Sequence, residues 1–437
     1  MFTTHSSETA KPSSEQNDCL RSRYERVRQF TDYLCQPLAT EDYVIQSMPD
    51  VSPTRWHLAH TTWFFETFVL KAFCPNYRPI NQQYEYLFNS YYNSIGQQFA
   101  RPNRGLLSRP TVAEIKQYRH SVDQLVCGLL EDPKAMDSSR FAEVMELGIQ
   151  HEQQHQELML TDIKHVFSCN PLLPAYCPGS PSDSSKKNSD GGLTDDFTSV
   201  PGARGLVSVG DATDHFVFDN ERPRHQVYLQ PFRLHTRLIT NAQYLQFIKD
   251  GGYQRPELWL SLGWQAVQLE SWRAPLYWFE VDGTWRYFTL SGAKPIDLSQ
   301  PVCHVSFFEA DAYARWRGCR LPLEAEWEVI AAEQPIAGNF VESGFYQPTA
   351  FGRGAQVQQL FGDVWEWTAS PYVPYPGYAP AAGALGEYNG KFMCNQFVLR
   401  GGSCVSSVSH LRATYRNFFP PDARWQFTGI RLAEDDA

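Results

Sequence analysis

The chain has 437 residues, 42% hydrophobic and 14% aromatic, with 38 basic against 48 acidic side chains and a formal net charge of −10. That length exceeds one ordinary hydrophobic core, so two domains are expected, and the apolar fraction is that of a folded chain. The acidic balance argues against nucleic-acid binding, and no apolar run approaches the roughly 18 residues of a membrane helix. Ten cysteines are scattered without a CxxC pair, which favours reduced thiols in a cytoplasm over a disulfide framework or a zinc ribbon.

In chain order, the opening MFTTHSSETAKPSSEQ is polar and lacks the apolar core of a signal peptide, so residues 1–19 read as a disordered tail. Residues 20–177 read as helical. RSRYERVRQFTDYLCQPL, TRWHLAHTTWFFETFVLKAF, TVAEIKQYRHSVDQLVCGLLED and the stretch around His151 give four amphipathic segments. Thr111 or Ser108 caps the third, with Glu114 in its first turn. Four such helices predict an up-and-down bundle, a scaffold that holds metals between facing helices. Residues 178–199 contain PGSPSDSSKKNSDGGLTDD, a Ser/Gly/Asp-rich linker without apolar periodicity. From 200 to 437 short strand-like runs (GLVSVG, HQVYLQPFRL, TWRYFTL, FVLRGG) alternate with Gly/Pro turns. Two helices are expected among them, at TNAQYLQFIKDG and FFEADAYARWRG. This predicts an irregular α+β domain.

The chemistry concentrates in His151-Glu-Gln-Gln-His155. Histidines four apart on a helix sit about 40° apart and one turn up, so both imidazoles reach one metal. The run also fits the HExxH pattern, with Glu152 as general base, but no further ligand of that type follows. Glu157 lies about 200° around the helix from His155, on another face. A third ligand is needed. PTRWHLAHTTWFFETF offers His57 or His60, three apart on a helix that can face the first. Three neutral imidazoles leave adjacent positions open for dioxygen and substrates, yet a nitrogen-only set also suits zinc or copper. The competing reading is two polar helices packed together.

Taken together, the motifs resemble the ergothioneine-biosynthetic sulfoxide synthases, a DinB-like four-helix bundle joined to a formylglycine-generating-enzyme-like (sulfatase-modifying-factor) domain. The resemblance rests on Leu58-Ala59-His60, HEQQHQE, NSYYNSIG and RPNRGLLSRP in the first half. In the second half it rests on ERPRHQVYL, CRLPLEAEWE, FGDVWEWTAS, VLRGGS and TYRNF…FTGIRLA. It implies Fe(II) held by His60, His151 and His155, with His57 outside the ligand set. It implies an oxygenase that joins a thiol sulfur to the imidazole of hercynine (Nα-trimethylhistidine) using dioxygen. Tyr91 and Tyr92 are then the candidate proton donors.

The same resemblance gives Arg101 and Arg104 to the thiol donor's carboxylate, as bidentate pairing favours. It gives Gln154 to the imidazole side, and Asn417 and Phe418 to the quaternary ammonium, which only aromatic faces and oxygens can hold. Relatives that use γ-glutamylcysteine carry an Asp and an Arg where this chain has Phe419 and Ala423. L-cysteine is therefore the expected donor, with Asp422 and Arg424 as the nearest substitutes for the missing charges. Rival readings are a synthase using γ-glutamylcysteine, an ovothiol-type 5-histidylcysteine sulfoxide synthase and a formylglycine-generating oxidase. The last needs a cysteine pair where RGGSCVSSVSHLRATYR has only Cys404.

Overall fold

The computed structural model describes residues 19–178, 198–350 and 356–436. The expected tail, but for Cys19, and most of the expected linker lie outside the described residues. The first half folds into α1 (Leu20–Leu34), α2 (Thr54–Phe65), α3 (Lys71–Phe73), α4 (Gln83–Phe88), α5 (Val112–Glu131), α6 (Pro133–Met136) and α7 (Ser139–Ser168). A π turn at Glu66–Leu70 joins α2 to α3, so the expected 54–73 segment is one helix with a bulge. Thr111 caps α5 in a capping box with Glu114, which settles the choice against Ser108.

Helices α1, α2, α5 and α7 form the bundle. Gly148 lets α2 and α7 approach: a Cβ there would stand 2.5 Å from the Phe65 ring. This close crossing brings the histidine turns of the two helices face to face. Helix α7 is exposed on one side in its first turns but buried nearly all round from Gly148 to Lys164. Its Glu152 is buried against Arg28 (2.7 Å), Arg119 (2.6 Å) and Thr31 (2.6 Å). Its Leu160, Ile163 and Phe167 join a core with Tyr277, Phe288, Val364 and Phe427 of the second half. Its polar positions are covered by α1 and α5 on one side and by the second domain on the other.

That domain runs β1 (Ser199–Pro201), β2 (Gly205–Val209), β3 (His225–Leu229), β4 (Phe232–His235), α8 (Asn241–Lys249), α9 (Ser261–Leu269), β5 (Trp278–Val281), β6 (Thr284–Thr289), β7 (Gly292–Pro295), α10 (Phe307–Trp316), α11 (Glu324–Ala331), β8 (Trp365–Pro371), β9 (Phe397–Arg400), β10 (Asn417–Phe419), β11 (Thr428–Gly429) and β12 (Ala433–Asp435). The sheets order as β1-β4-β12, β2-β3, β5-β6-β7 and β10-β9-β8-β11, the expected α+β mixture. The run HQVYLQPFRL breaks at Pro231 into β3 and β4, which belong to different sheets, because proline cannot donate to a ladder. The short helices α9 and α11 were not expected. They are nine and eight residues long, and neither has the side-chain hydroxyl cap that marks α8 and α10 at Thr240 and Ser306. All ten cysteines are free, and no described helix is long and apolar enough to cross a membrane.

Candidate metal centre at the domain junction

His60 of α2 and His151 and His155 of α7 bring three ring nitrogens within 4.8 Å of one another, in a fully buried setting. The Nε2 atoms of His60 and His151 stand 3.2 Å apart. Two nitrogens bound about 2.1 Å from one metal are about 3.0–3.4 Å apart, so the pair has a metal's spacing. The outward nitrogens are anchored differently. His60 Nδ1 donates to the Phe88 carbonyl (2.6 Å), and His155 Nδ1 meets His57 Nδ1 (2.8 Å). His151 Nδ1 is buried without a partner. Burial is the main cause that lowers the basicity of all three rings, taking His151 down to about 3, so each is neutral and offers a lone pair. The residues present therefore fit a divalent transition metal.

His57 is three residues before His60 and stays outside the cluster, with its Nδ1 against His155 Nδ1. Its Nε2 stands 3.0 Å from Asp162 Oδ2, which also accepts from the Ser52 amide (2.8 Å). Glu152 is no general base here. Burial raises its carboxyl, but Arg119 and Arg28 outweigh that and hold it down at about 2, facing away from the histidines. Glu157 also leaves the site: it accepts from Trp365 Nε1 (2.6 Å), Ser406 (2.6 Å) and Ser403 (3.1 Å) of the second domain. Those serines flank the buried Cys404 in the segment where a formylglycine-generating oxidase needs its cysteines.

Arg104 is 3% exposed and meets only Ser52 Oγ (2.9 Å), Ser90 Oγ (3.2 Å) and the face of Trp56, whose ring centre lies 3.3 Å from Cζ. No carboxylate pairs with it among the described residues, and its Nε has no partner. Burial, then the charge of Arg101, depresses its basicity. A buried guanidinium with no carboxylate hydrogen-bonded to it is suited to an anion. Arg101 itself is exposed and donates to the Asp50 carbonyl. Trp56 stacks on His60 at 4.5 Å and 13°, linking the anion site to the metal cluster.

Tyr91 and Tyr92 pack with ring centres 4.6 Å apart and planes tilted by 34°, and Tyr92 is fully buried. Burial raises both phenols well above their ordinary value, so they remain protonated donors. An aromatic wall continues from them that sequence reasoning missed. Tyr388 lies 5.8 Å from His151 and 6.1 Å from Tyr91, and Phe392 lies 5.4 Å from Tyr91 and 5.9 Å from Phe418. Phe418 on β10 stacks on Tyr372 at 4.0 Å. Gln154 spans this wall: it accepts from Tyr388 and donates to Tyr415 (2.6 Å). Asn417 turns its Oδ1 to the Phe418 amide (2.9 Å), and Phe419 lies edge-on to Trp425 at 5.9 Å. The wall segment GEYNGKF carries no chemical motif, so only folding reveals it. It is fixed to the bundle by Glu387, which accepts from the Asn93 and Ser94 amides (both 2.9 Å).

A second cluster, His235, Cys319 and Glu434, has similar spacing. There Glu434 already pairs with His235 (2.9 Å), and Arg431 and Arg317 both act on that imidazole, a field that opposes a dication.

Residues 23–159 match the DinB superfamily, and 184–350 with 337–436 match the sulfatase-modifying factor enzyme 1-like domain. The molecule is thus a DinB-like helical bundle followed by a formylglycine-generating-enzyme-like α+β domain, as expected. The hercynine oxygenase of Mycolicibacterium smegmatis is 34% identical over 421 residues, covering 89% of this chain and 92% of that protein. Its counterpart from Mycobacterium tuberculosis is 33% identical over 413 residues, with the same coverage. The formylglycine-generating enzyme of Streptomyces coelicolor is 30% identical but covers only 54% of this chain. The chain belongs to the hercynine oxygenase family, and it is an enzyme of the oxygenase class.

Proposed function

We propose that the chain is an Fe(II)- and dioxygen-dependent sulfoxide synthase acting on hercynine and L-cysteine. It joins the cysteine sulfur to the hercynine imidazole ring and oxygenates that sulfur, giving hercynylcysteine sulfoxide. The three converging, neutral histidines carry this reading. His60, His151 and His155 would hold the iron, which supplies the redox chemistry that dioxygen needs. The reaction balances without an added reductant. Forming the C–S bond removes two electrons, oxygenating sulfur removes two more, and one dioxygen accepts all four, leaving one oxygen on sulfur and one in water.

The remaining roles follow from the side chains. Arg104, with Arg101, receives the carboxylate of the thiol donor, because it is a buried cation beside the histidine cluster with no carboxylate hydrogen-bonded to it. Tyr91 or Tyr92 delivers a proton, since both phenols are held protonated beside the cluster. The faces of Phe418, Tyr388 and Phe392 suit a quaternary ammonium, with Asn417 alongside. Gln154 orients the hydroxyls of Tyr388 and Tyr415 toward the imidazole side.

Cysteine is favoured over γ-glutamylcysteine because the second grip has no charges to offer. Phe419 and the buried Ala423 are uncharged. Arg424 is consumed by Glu309 (2.8 and 2.9 Å), and Asp422 is exposed. A mass spectrum of the product from hercynine, Fe(II), air and each thiol in turn tests both levels. A cysteine–hercynine sulfoxide is the expected result. Preference for γ-glutamylcysteine overturns the donor assignment, and the absence of any coupled product overturns the reaction.

A further inference from the structure

We propose that Asp162 and His57 form a positioning pair that fixes the tautomer and ring orientation of the ligand His155. The inference rests on the three-histidine reading above and adds two residues to which neither the HxxxH pattern nor the family resemblance gives a role.

The relay starts at the carboxylate. Asp162 Oδ2 accepts from the Ser52 amide at 2.8 Å and faces His57 Nε2 at 3.0 Å. In the proposed pair the Asp162 oxygen that takes the Ser52 amide also accepts from His57 Nε2–H. With the ring hydrogen on Nε2 in this pair, His57 Nδ1 is the acceptor. The 2.8 Å contact between His57 Nδ1 and His155 Nδ1 then requires the hydrogen on His155. His155 Nε2 is therefore the bare nitrogen, the form a metal ligand needs. Two hydrogen bonds transmit the identity of a carboxylate to the lone pair of a ligand. His57, Asp162 and His155 are 3%, 3% and 7% exposed, so water does not compete for these bonds.

The spacing explains the placement. Asp162 follows His155 by seven residues, two turns along the same face of α7, and His57 precedes His60 by nearly one turn of α2. The crossing that sets His60 against His151 thereby sets His57 between His155 and Asp162. Ser52 ties the pair to the anion site as well, because its Oγ accepts from Arg104 (2.9 Å). His60 gets the same tautomer from the Phe88 carbonyl, whereas His151 Nδ1 has no anchor. Two of the three ligands are thus anchored, each by a different device.

An amide reproduces the relay and a benzene ring reproduces only its shape. In His57→Gln the side-chain carbonyl could accept from His155 while the amide nitrogen donates to Asp162; in His57→Phe neither bond can form. The test is anaerobic titration of the full chain with Fe(II) or Co(II), read as metal affinity rather than turnover. His57→Phe should weaken binding about 10–100-fold and His57→Gln should stay within about threefold of wild type. Equal affinity for wild type and His57→Phe, or a His57→Gln as weak as His57→Phe, overturns the pair. A purely structural role for His57 predicts the reversed order, since Phe preserves the packing better. A wild-type chain that takes up no metal overturns the three-histidine reading beneath it, a distinct outcome.

Discussion

Two faces of α7 are equally polar and equally buried, yet their side chains are used in opposite ways. Toward the second domain, Gln150 meets His410 (2.6 Å), Gln153 meets Ser409 (2.7 Å) and Lys164 meets His304 (2.6 Å), while Glu157 takes three donors. Toward α2, His151 and His155 keep their inner nitrogens bare and aim them at His60. A polar group with its partners satisfied is a docking contact, worth a net of about 1 kcal/mol each. Bare nitrogens that converge are suited to a metal instead. Burial alone does not separate structure from function along this helix; satisfaction does.

The largest effect is expected on the bare side. His151→Ala should abolish metal uptake and coupled product, measured by metal analysis and mass spectrometry, while the fold persists by circular dichroism. Metal retained at wild-type stoichiometry would erase the distinction between the two faces. On the docked side, Glu157→Ala should retain the metal and lose about 2–3 kcal/mol of stability, because Trp365, Ser403 and Ser406 are left without their acceptor. Its denaturation midpoint, alongside metal content, checks both halves.

Lys164 makes the docked side sensitive to pH. Burial pushes its amine down from 10.5 to about 8. Between these values the folded chain has released a proton that the unfolded chain still holds, so stability rises with pH across that window, by at most about 3 kcal/mol. Below pH 8 the buried charge carries its full cost. Lys164→Met should therefore be more stable than wild type at pH 7, and the advantage should shrink between pH 8 and 10.5. Parallel unfolding curves across that range would show that the Lys164–His304 contact has no such cost.

Much of the site is legible in the chain because helices encode it locally. Four-residue spacing puts His151 and His155 on one face wherever that helix sits, and Thr111 with Glu114 caps α5 through contacts three residues apart. The same arithmetic correctly turned Glu157 away from the metal. It could not say where Glu157 went, because its partners lie more than 200 residues downstream. Nor could spacing give His57 its place between His155 and Asp162, or find Tyr388 and Phe392, whose segment has no motif. The strand run broken at Pro231 failed for a related reason: residue pattern predicts an extended chain but not which sheet receives it.

Element types, the two-part architecture and a histidine pair are thus written in the chain alone, through near-neighbour geometry and motif. Folding was needed to bury the Gly148–Lys164 stretch of α7 nearly all round, to bring its bare nitrogens to His60 and to leave Arg104 without a hydrogen-bonded carboxylate. Those facts depend on groups brought together by the Gly148 crossing and by the domain junction. Whether a buried polar atom is satisfied is a property of its partners, and in this chain the partners are far away in sequence.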